Sequence, residues 1–174
     1  MALKRGIVKL EAYNKNWKKE YQKEEKFLKD ILKDKIIEIE HVGSTSIEGL
    51  QAKPIIDILI VIKSFDKISE IEKLLKDYGY INHGDHGIPN RCFFTKGPDD
   101  ARTHYIHFTT PNSDTFYNLI YFKEYLNNHP EYKEKYCKLK NELAEKYADD
   151  RPKYTQGKSD FISKVIKLAK EEYK

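Results

Sequence analysis

Asp57 stands inside an aliphatic run, Ile55-Ile56-Asp57-Ile58-Leu59-Ile60-Val61-Ile62. A carboxylate in such a setting costs free energy unless it is paired, hydrated or bound to a metal. Just upstream lies His41-Val42-Gly43-Ser44-Thr45-Ser46, and Lys53 falls between the two stretches. Glycine lets backbone approach a ligand closely, and backbone N–H groups with short hydroxyls make an anion-binding turn. Ser44 and Thr45 would donate to an anion there. Lys53, held extended by Pro54, would reach the same anion. Arg91 offers a fork suited to phosphate. Each has a plainer reading as a turn hydroxyl, a surface lysine or a surface pair. An acid placed beside a hydroxyl-rich turn has little structural benefit, so Ser44, Lys53 and Asp57 together are read as functional.

These residues need a frame. The runs 36–42 and 55–62 read as two neighbouring strands joined by the turn. The first alternates Ile37 and Ile39 with Glu38 and Glu40, and the second is apolar but for Asp57, as a strand covered on both faces would be. A helix is expected from Asn14 or Asn16 to about Leu32, burying Trp17, Tyr21, Leu28 and Ile31. A second should start at Ser64 and end at Gly79, burying Ile68, Ile71, Leu75 and Tyr78. Residues 82–90 read as a loop, and the grouping of His83, Asp85 and His86 is read as exposed loop chemistry rather than a metal site. Strands are expected over 91–96 and 103–109. His104 and His107 are an odd number apart and must face opposite sides of theirs. Ser113 should cap a helix to Asn127 that buries Phe116, Leu119, Ile120 and Phe122. Pro130 opens another helix, whose stripe Tyr132, Tyr136, Leu139, Leu143 and Tyr147 suggests helix pairing. A polar loop over 148–156 and a last helix with Phe161, Ile162, Val165, Ile166 and Ala169 complete the chain.

The motif Gly43-Ser44-Thr45-Ser46, then Gly49-Leu50, then Lys53-Pro54-Ile55-Ile56-Asp57-Ile58, resembles the signature of the GrpB family. Arg91-Cys92-Phe93-Phe94, His104-Tyr105-Ile106-His107 and Tyr121-Phe122-Lys123-Glu124-Tyr125-Leu126 are similar to its later segments, as are Leu139-Lys140 and the stretch from Tyr154 to Phe161. The resemblance implies the nucleotidyltransferase superfamily and the palm fold of DNA polymerase beta. In that superfamily a Gly-Ser turn holds a triphosphate, and an Asp-x-Asp pair binds divalent ions for transfer. Here Asp57 would be the catalytic acid, and the partner position is Leu59, which cannot ligate. The resemblance and the strand pattern together suggest Mg²⁺ or Mn²⁺ at Asp57 with His107 and Glu124. Lys140, Tyr154 and Lys158 match family positions and would close the cleft around phosphate. GrpB-like domains also resemble segments fused to coenzyme A biosynthetic kinases, so a binding or regulatory module without turnover stays open beside the enzyme.

At 174 residues the chain fits one domain, 1–174, with a sheet-bearing half over 1–110 and a helical half over 111–174. The expected class is α+β: a small mixed β-sheet with flanking helices and a C-terminal helical bundle. Charged residues make up 34% and aromatics 13%, with 39% hydrophobic content, which argues for a folded core under a solvated surface. The net charge of +4, with signs interleaved, does not argue for nucleic acid. An RNA-binding reading is kept as a third, without a basic-aromatic motif behind it. No membrane-length apolar run or signal-peptide core is legible, and Cys92 and Cys137 read as free thiols, so a cytoplasmic setting is expected. The expected partner is a nucleotide or another phosphorylated small molecule.

Overall fold

The computed structural model describes residues 4–173. Its strands are β1 (Glu38–Val42), β2 (Ile56–Val61), β3 (Tyr80–Asn82), β4 (Cys92–Lys96) and β5 (His104–Thr109). They form one mixed sheet in the order β1-β2-β5-β4-β3. β2 is central. It runs antiparallel to β1, with Val42 opposite Asp57, and parallel to β5, with Asp57 opposite Tyr105 and Leu59 opposite His107. That position explains why its run is apolar apart from Asp57, since both of its faces are covered.

One face of the sheet packs on α1 (Asn16–Leu32) and α2 (Ile68–Lys76). Ile56, Ile58, Ile60, Ile106, Phe94 and Phe108 meet Trp17, Leu28, Leu32, Ile71 and Leu75 there. The α1 stripe recurs every three or four residues, Trp17, Tyr21, Glu24, Leu28 and Leu32, as a helix facing a core requires. Trp17 is a core anchor, fully buried.

The other half holds α3 (Asp114–Asn128), α4 (Pro130–Lys146), α5 (Arg151–Gly157) and α6 (Ser159–Glu172). Ser113 caps α3 by accepting from the Phe116 N–H at 3.1 Å, and Pro130 sits in the first turn of α4. Ile47 and Leu50, from the stretch between β1 and β2, insert into this half against Phe122, Leu126, Tyr136, Val165 and Ala169. The α+β expectation therefore holds, with helices on the back of the sheet and a helical half beside it.

Several local expectations are corrected. Residues 151–157 are a helix rather than loop, because Asp150 caps it by accepting from the Lys153 N–H and Tyr154 buries itself beneath it. Residues 80–82 are an edge strand, paired with β4 through Tyr80 and Lys96. Ile37 lies outside β1 and is 60% exposed; Tyr78 is 47% exposed and rests edge-on against Phe27. On α3 the fully inward residues are Thr115, Phe122, Tyr125 and Leu126, while Phe116, Leu119 and Ile120 are half-buried. On α4 the expected stripe does pair with helices: Tyr132 and Tyr136 meet Tyr125 and Phe122 of α3, Tyr136 stacks on Phe161 of α6, and Leu143 stands against Gly157 of α5, with Lys140 buried beside them. Among the described residues no helix is long and apolar enough to cross a membrane.

Candidate functional site

Gly43 turns the chain out of β1 with φ +70°, a conformation that L side chains rarely adopt. It also faces Asp57: a Cβ at this position would stand 2.7 Å from Oδ2 of Asp57. A single 3-10 turn follows, Ser44–Ser46, in which Ser46 donates to the Gly43 carbonyl through N–H at 3.1 Å and Oγ at 2.6 Å. The first N–H groups of such a turn have no partner within it, which leaves them for an anion. His41 braces the turn from behind, with Nε2 at 2.9 Å from Oγ1 of Thr45 and its ring stacked on Tyr21 at 4.6 Å. Burial, then the nearby Lys123, pushes His41 down to about 4. Thr45 thus spends its hydroxyl on His41, and the Ser44 hydroxyl lies beside that of Tyr136 on the cavity wall.

On the front face of the sheet Asp57 and His107 meet. Nε2 of His107 donates to Oδ1 of Asp57 at 3.0 Å, and Nδ1 of His107 is buried without a hydrogen-bond partner. His104 faces the opposite side, toward Glu24, as strand alternation demands.

The turn and this pair open on a cavity of about 440 Å³ between the sheet and the helical half. Gly43, Ser44, Thr45, Lys53, Asp57 and His107 line it from the sheet side, and Lys140, Tyr154 and Lys158 from the helices. Nine of the residues expected from sequence are therefore brought together. Two are not. Glu124 is exposed on α3, outside the cavity lining, because Phe122, Tyr125 and Leu126 take the inward positions around it. Arg91 spends its guanidinium on the carbonyls of Asp85 and His86 and stacks over Phe93 at 4.9 Å, also outside the lining.

Sequence reasoning missed Tyr105, Asn118, Phe122 and Tyr136 on the cavity wall. Tyr136 and Lys140 are one helical turn apart, and that spacing was the available signal. Asn118 Oδ1 is buried and unpartnered.

Positive charge dominates this cavity. The Nζ atoms of Lys53 and Lys158 lie 5.4 and 4.5 Å from the Tyr154 ring centroid, and that of Lys140 lies 4.8 Å from Tyr136. Lys140, only 1% exposed, donates to the Gln51 carbonyl. Burial and then neighbouring cations push Lys53 and Lys140 down to about 7, and burial pushes Lys158 down to about 8. A larger cavity of about 590 Å³ lies behind the turn, against Tyr21 and His41. Its wall sets Glu25, Glu40 and Glu48 against Lys18, Lys123 and Lys133, a balance that selects no charge.

The sequence resemblance implies divalent ions, and the donors present do not fit them. Asp57 and His107 are two donors, the next residue on the same strand face is the fully buried Leu59, and Glu124 lies elsewhere. Among the described residues no group of three or more His, Cys, Asp or Glu side chains could hold a metal ion.

A mixed sheet with a glycine-serine turn after one strand and an acid on the next defines a nucleotidyltransferase-like fold. The structure of Cid1 in complex with the UTP analog UMPNPP shares it, with a TM-score of 0.52 over 77% of this chain and 42% of that one, at 15% identity. More particularly, the chain belongs to the GrpB family: the family described as GrpB protein matches residues 7–168. The crystal structure of conserved protein GrpB from Enterococcus faecalis is similar with a TM-score of 0.89 at 33% identity, over 95% of this chain and 99% of that one. The glutamate-rich protein GrpB of Alkalihalophilus pseudofirmus is 33% identical over 170 residues, covering 95% of this chain and 98% of that protein. YqkA of Bacillus subtilis is 36% identical over 163 residues, 94% of this chain but 47% of that protein, so the chain spans about half of YqkA.

Proposed function

We propose that the chain binds a nucleotide, or another small molecule that joins phosphate to a flat or apolar body, in the cavity between β2 and the helical half. One observation carries this reading. Three lysines from three separate stretches of chain converge with the glycine-serine turn and the Asp57–His107 pair in a cavity whose wall is otherwise mostly Tyr105, Phe122, Tyr136, Tyr154 and aliphatic side chains. Phosphate suits the ammonium groups and the turn N–H groups; an aromatic or apolar body suits the walls. Cid1, of like fold, has been solved with a UTP analog, which makes a nucleoside triphosphate the first ligand to try. The free thiols Cys92 and Cys137 support a cytoplasmic setting for this activity.

Thermal denaturation tests the proposal. At a hundred times its dissociation constant a ligand adds about 2.7 kcal/mol, which raises the midpoint of a chain this size by about 5–10 °C. Nucleoside triphosphates should do so, and Lys53→Met should abolish the rise. A panel of nucleotides and sugar phosphates that leaves the midpoint unmoved would refute it.

Transfer of a nucleotidyl or phosphoryl group is the second reading, and the Asp57–His107 contact favours it. Asp57, oriented by His107 beside the turn, is placed to accept the proton of an acceptor hydroxyl that attacks phosphorus while pyrophosphate or a nucleotide leaves. The check is release of pyrophosphate, for nucleotidyl transfer, or of nucleoside diphosphate, for phosphoryl transfer, from a nucleoside triphosphate. Turnover should be lost in Asp57→Asn with binding retained; equal product from that variant rules the reading out.

A further inference from the structure

The charges lining the cavity do not balance. Lys53, Lys140 and Lys158 line it with Asp57 as its one acid. None of the three lysines stands within 4.0 Å of a carboxylate among the described residues. Asp57 is held by His107 through Oδ1, and its Oδ2 lies beside Gly43. With all three lysines protonated, two positive charges would be left without an internal counterion, in a space whose walls are mostly apolar. A hard divalent cation wants several oxygen donors in a field made negative by carboxylates. This cavity presents the reverse: an excess of lysines, a leucine at position 59, and a single carboxylate with one oxygen held by His107.

We propose that the cavity takes a ligand bearing two or more phosphate groups as the free oligophosphate anion, with the three lysine ammonium groups supplying the neutralisation that divalent ions would otherwise supply. This rests on the phosphate-binding reading above and names the form of its ligand. The geometry suits a chain of phosphates. The ammonium groups come from the stretch before β2, from α4 and from the start of α6, two of them over the Tyr154 ring and the third over the Tyr136 ring, so positive charge is spread along the cavity wall, as a row of phosphates would use it. Tyr154 is shared, with Lys53 and Lys158 both over its ring, and Tyr136 holds Lys140. These rings fix the lysine stems while leaving N–H donors free. The lowered lysines agree: an ammonium group held near neutrality by burial and by its neighbours regains its charge when an anion arrives.

Isothermal titration of inorganic tripolyphosphate into the full chain, first with a chelator and then with excess Mg²⁺ or Mn²⁺, tests this. Binding should persist with the chelator and weaken when the metal ion caps the ligand. Lys140→Met and Lys158→Met should each lose about tenfold or more in affinity, while Lys73→Met, on the exposed face of α2, should lose nothing. Thermal midpoints of the variants establish that they remain folded. Inorganic phosphate should bind at least tenfold more weakly than tripolyphosphate. Binding that appears only with a divalent ion overturns this inference and leaves the phosphate-binding reading standing. Equal affinity for one phosphate and for three overturns it too, and so does equal loss in Lys73→Met, which would mark general attraction to a basic surface. Absence of binding by any phosphate compound, with metal or without, overturns both readings.

Discussion

At Gly43 the turn and the acid constrain each other. Gly43→Ala would place a methyl group 2.7 Å from Asp57 Oδ2 at a φ of +70°. The backbone term alone costs about 1–2 kcal/mol, and overpacking adds about 1–3 kcal/mol. The variant should therefore unfold at clearly lower urea concentration, with the slope of the transition unchanged; a neutral result would mean that Asp57 is free to move. The lysines make a prediction of their own. Lys140 lies at about 7 in the fold against an ordinary 10.5, so the folded chain binds fewer protons than the unfolded chain between those values. Stability of the ligand-free protein should then rise with pH across that window, with a slope of about 1 kcal/mol per pH unit for each such group. Thermal midpoints between pH 7 and pH 9 read it directly, and Lys140→Met should flatten the slope. A bound anion reverses the preference, because it favours the charged lysines.

At the scale of elements, α1 is fastened to the sheet by a buried acid. Glu24 sits in the apolar stripe of α1, accepts from Nζ of Lys96 at 2.7 and 2.9 Å, and accepts from the Tyr80 hydroxyl. Removing it strands an ammonium group in a half-buried place. Glu24→Ala should cost about 3 kcal/mol by urea denaturation, and Glu24→Ala with Lys96→Met should cost less than the single change. If the double variant is the weaker one, the pair contributes through packing rather than charge. Glu24 also shows what sequence could not carry. The apolar period of α1 was legible, but an acid inside it is explained only by Lys96 arriving from β4. The longer helices and the four longer strands were legible because each repeats its pattern over several residues. β3 has three residues and is defined by its partner, and α5 looks like loop because proline and glycine sit within it and its cap is not local to any periodic run. The candidate site was legible where a motif gathers its residues close in sequence, at Gly43–Asp57. Position in a motif does not tell where a side chain is spent: Glu124 faces solvent on α3, and Arg91, on the same strand face as Phe93, is held by the carbonyls of Asp85 and His86.

At the scale of the whole molecule, two apolar cores meet across the cavity, and the stretch from Gly43 to Ile56 belongs to both. Ala52 and Ile56 lie in the core behind the sheet, while Ile47 and Leu50 lie in the helical core. The bridge is short and its ends are held: Glu11 pairs with Ala52, and Gln51 accepts from Lys140. Loss of the helical core would release the turn, and with it the wall that covers Asp57 and the front of β2. The two halves should therefore unfold as one unit although each has its own core. Leu50→Ala tests this. Leu50 is fully buried, so the change should cost about 2–5 kcal/mol and lower the midpoint by about 5–15 °C. In calorimetry the whole transition should move down as a single peak, with equal calorimetric and van't Hoff enthalpies. A peak that splits, with the sheet half melting at its original temperature, would show two independent units and make the cavity a space between domains rather than a site within one.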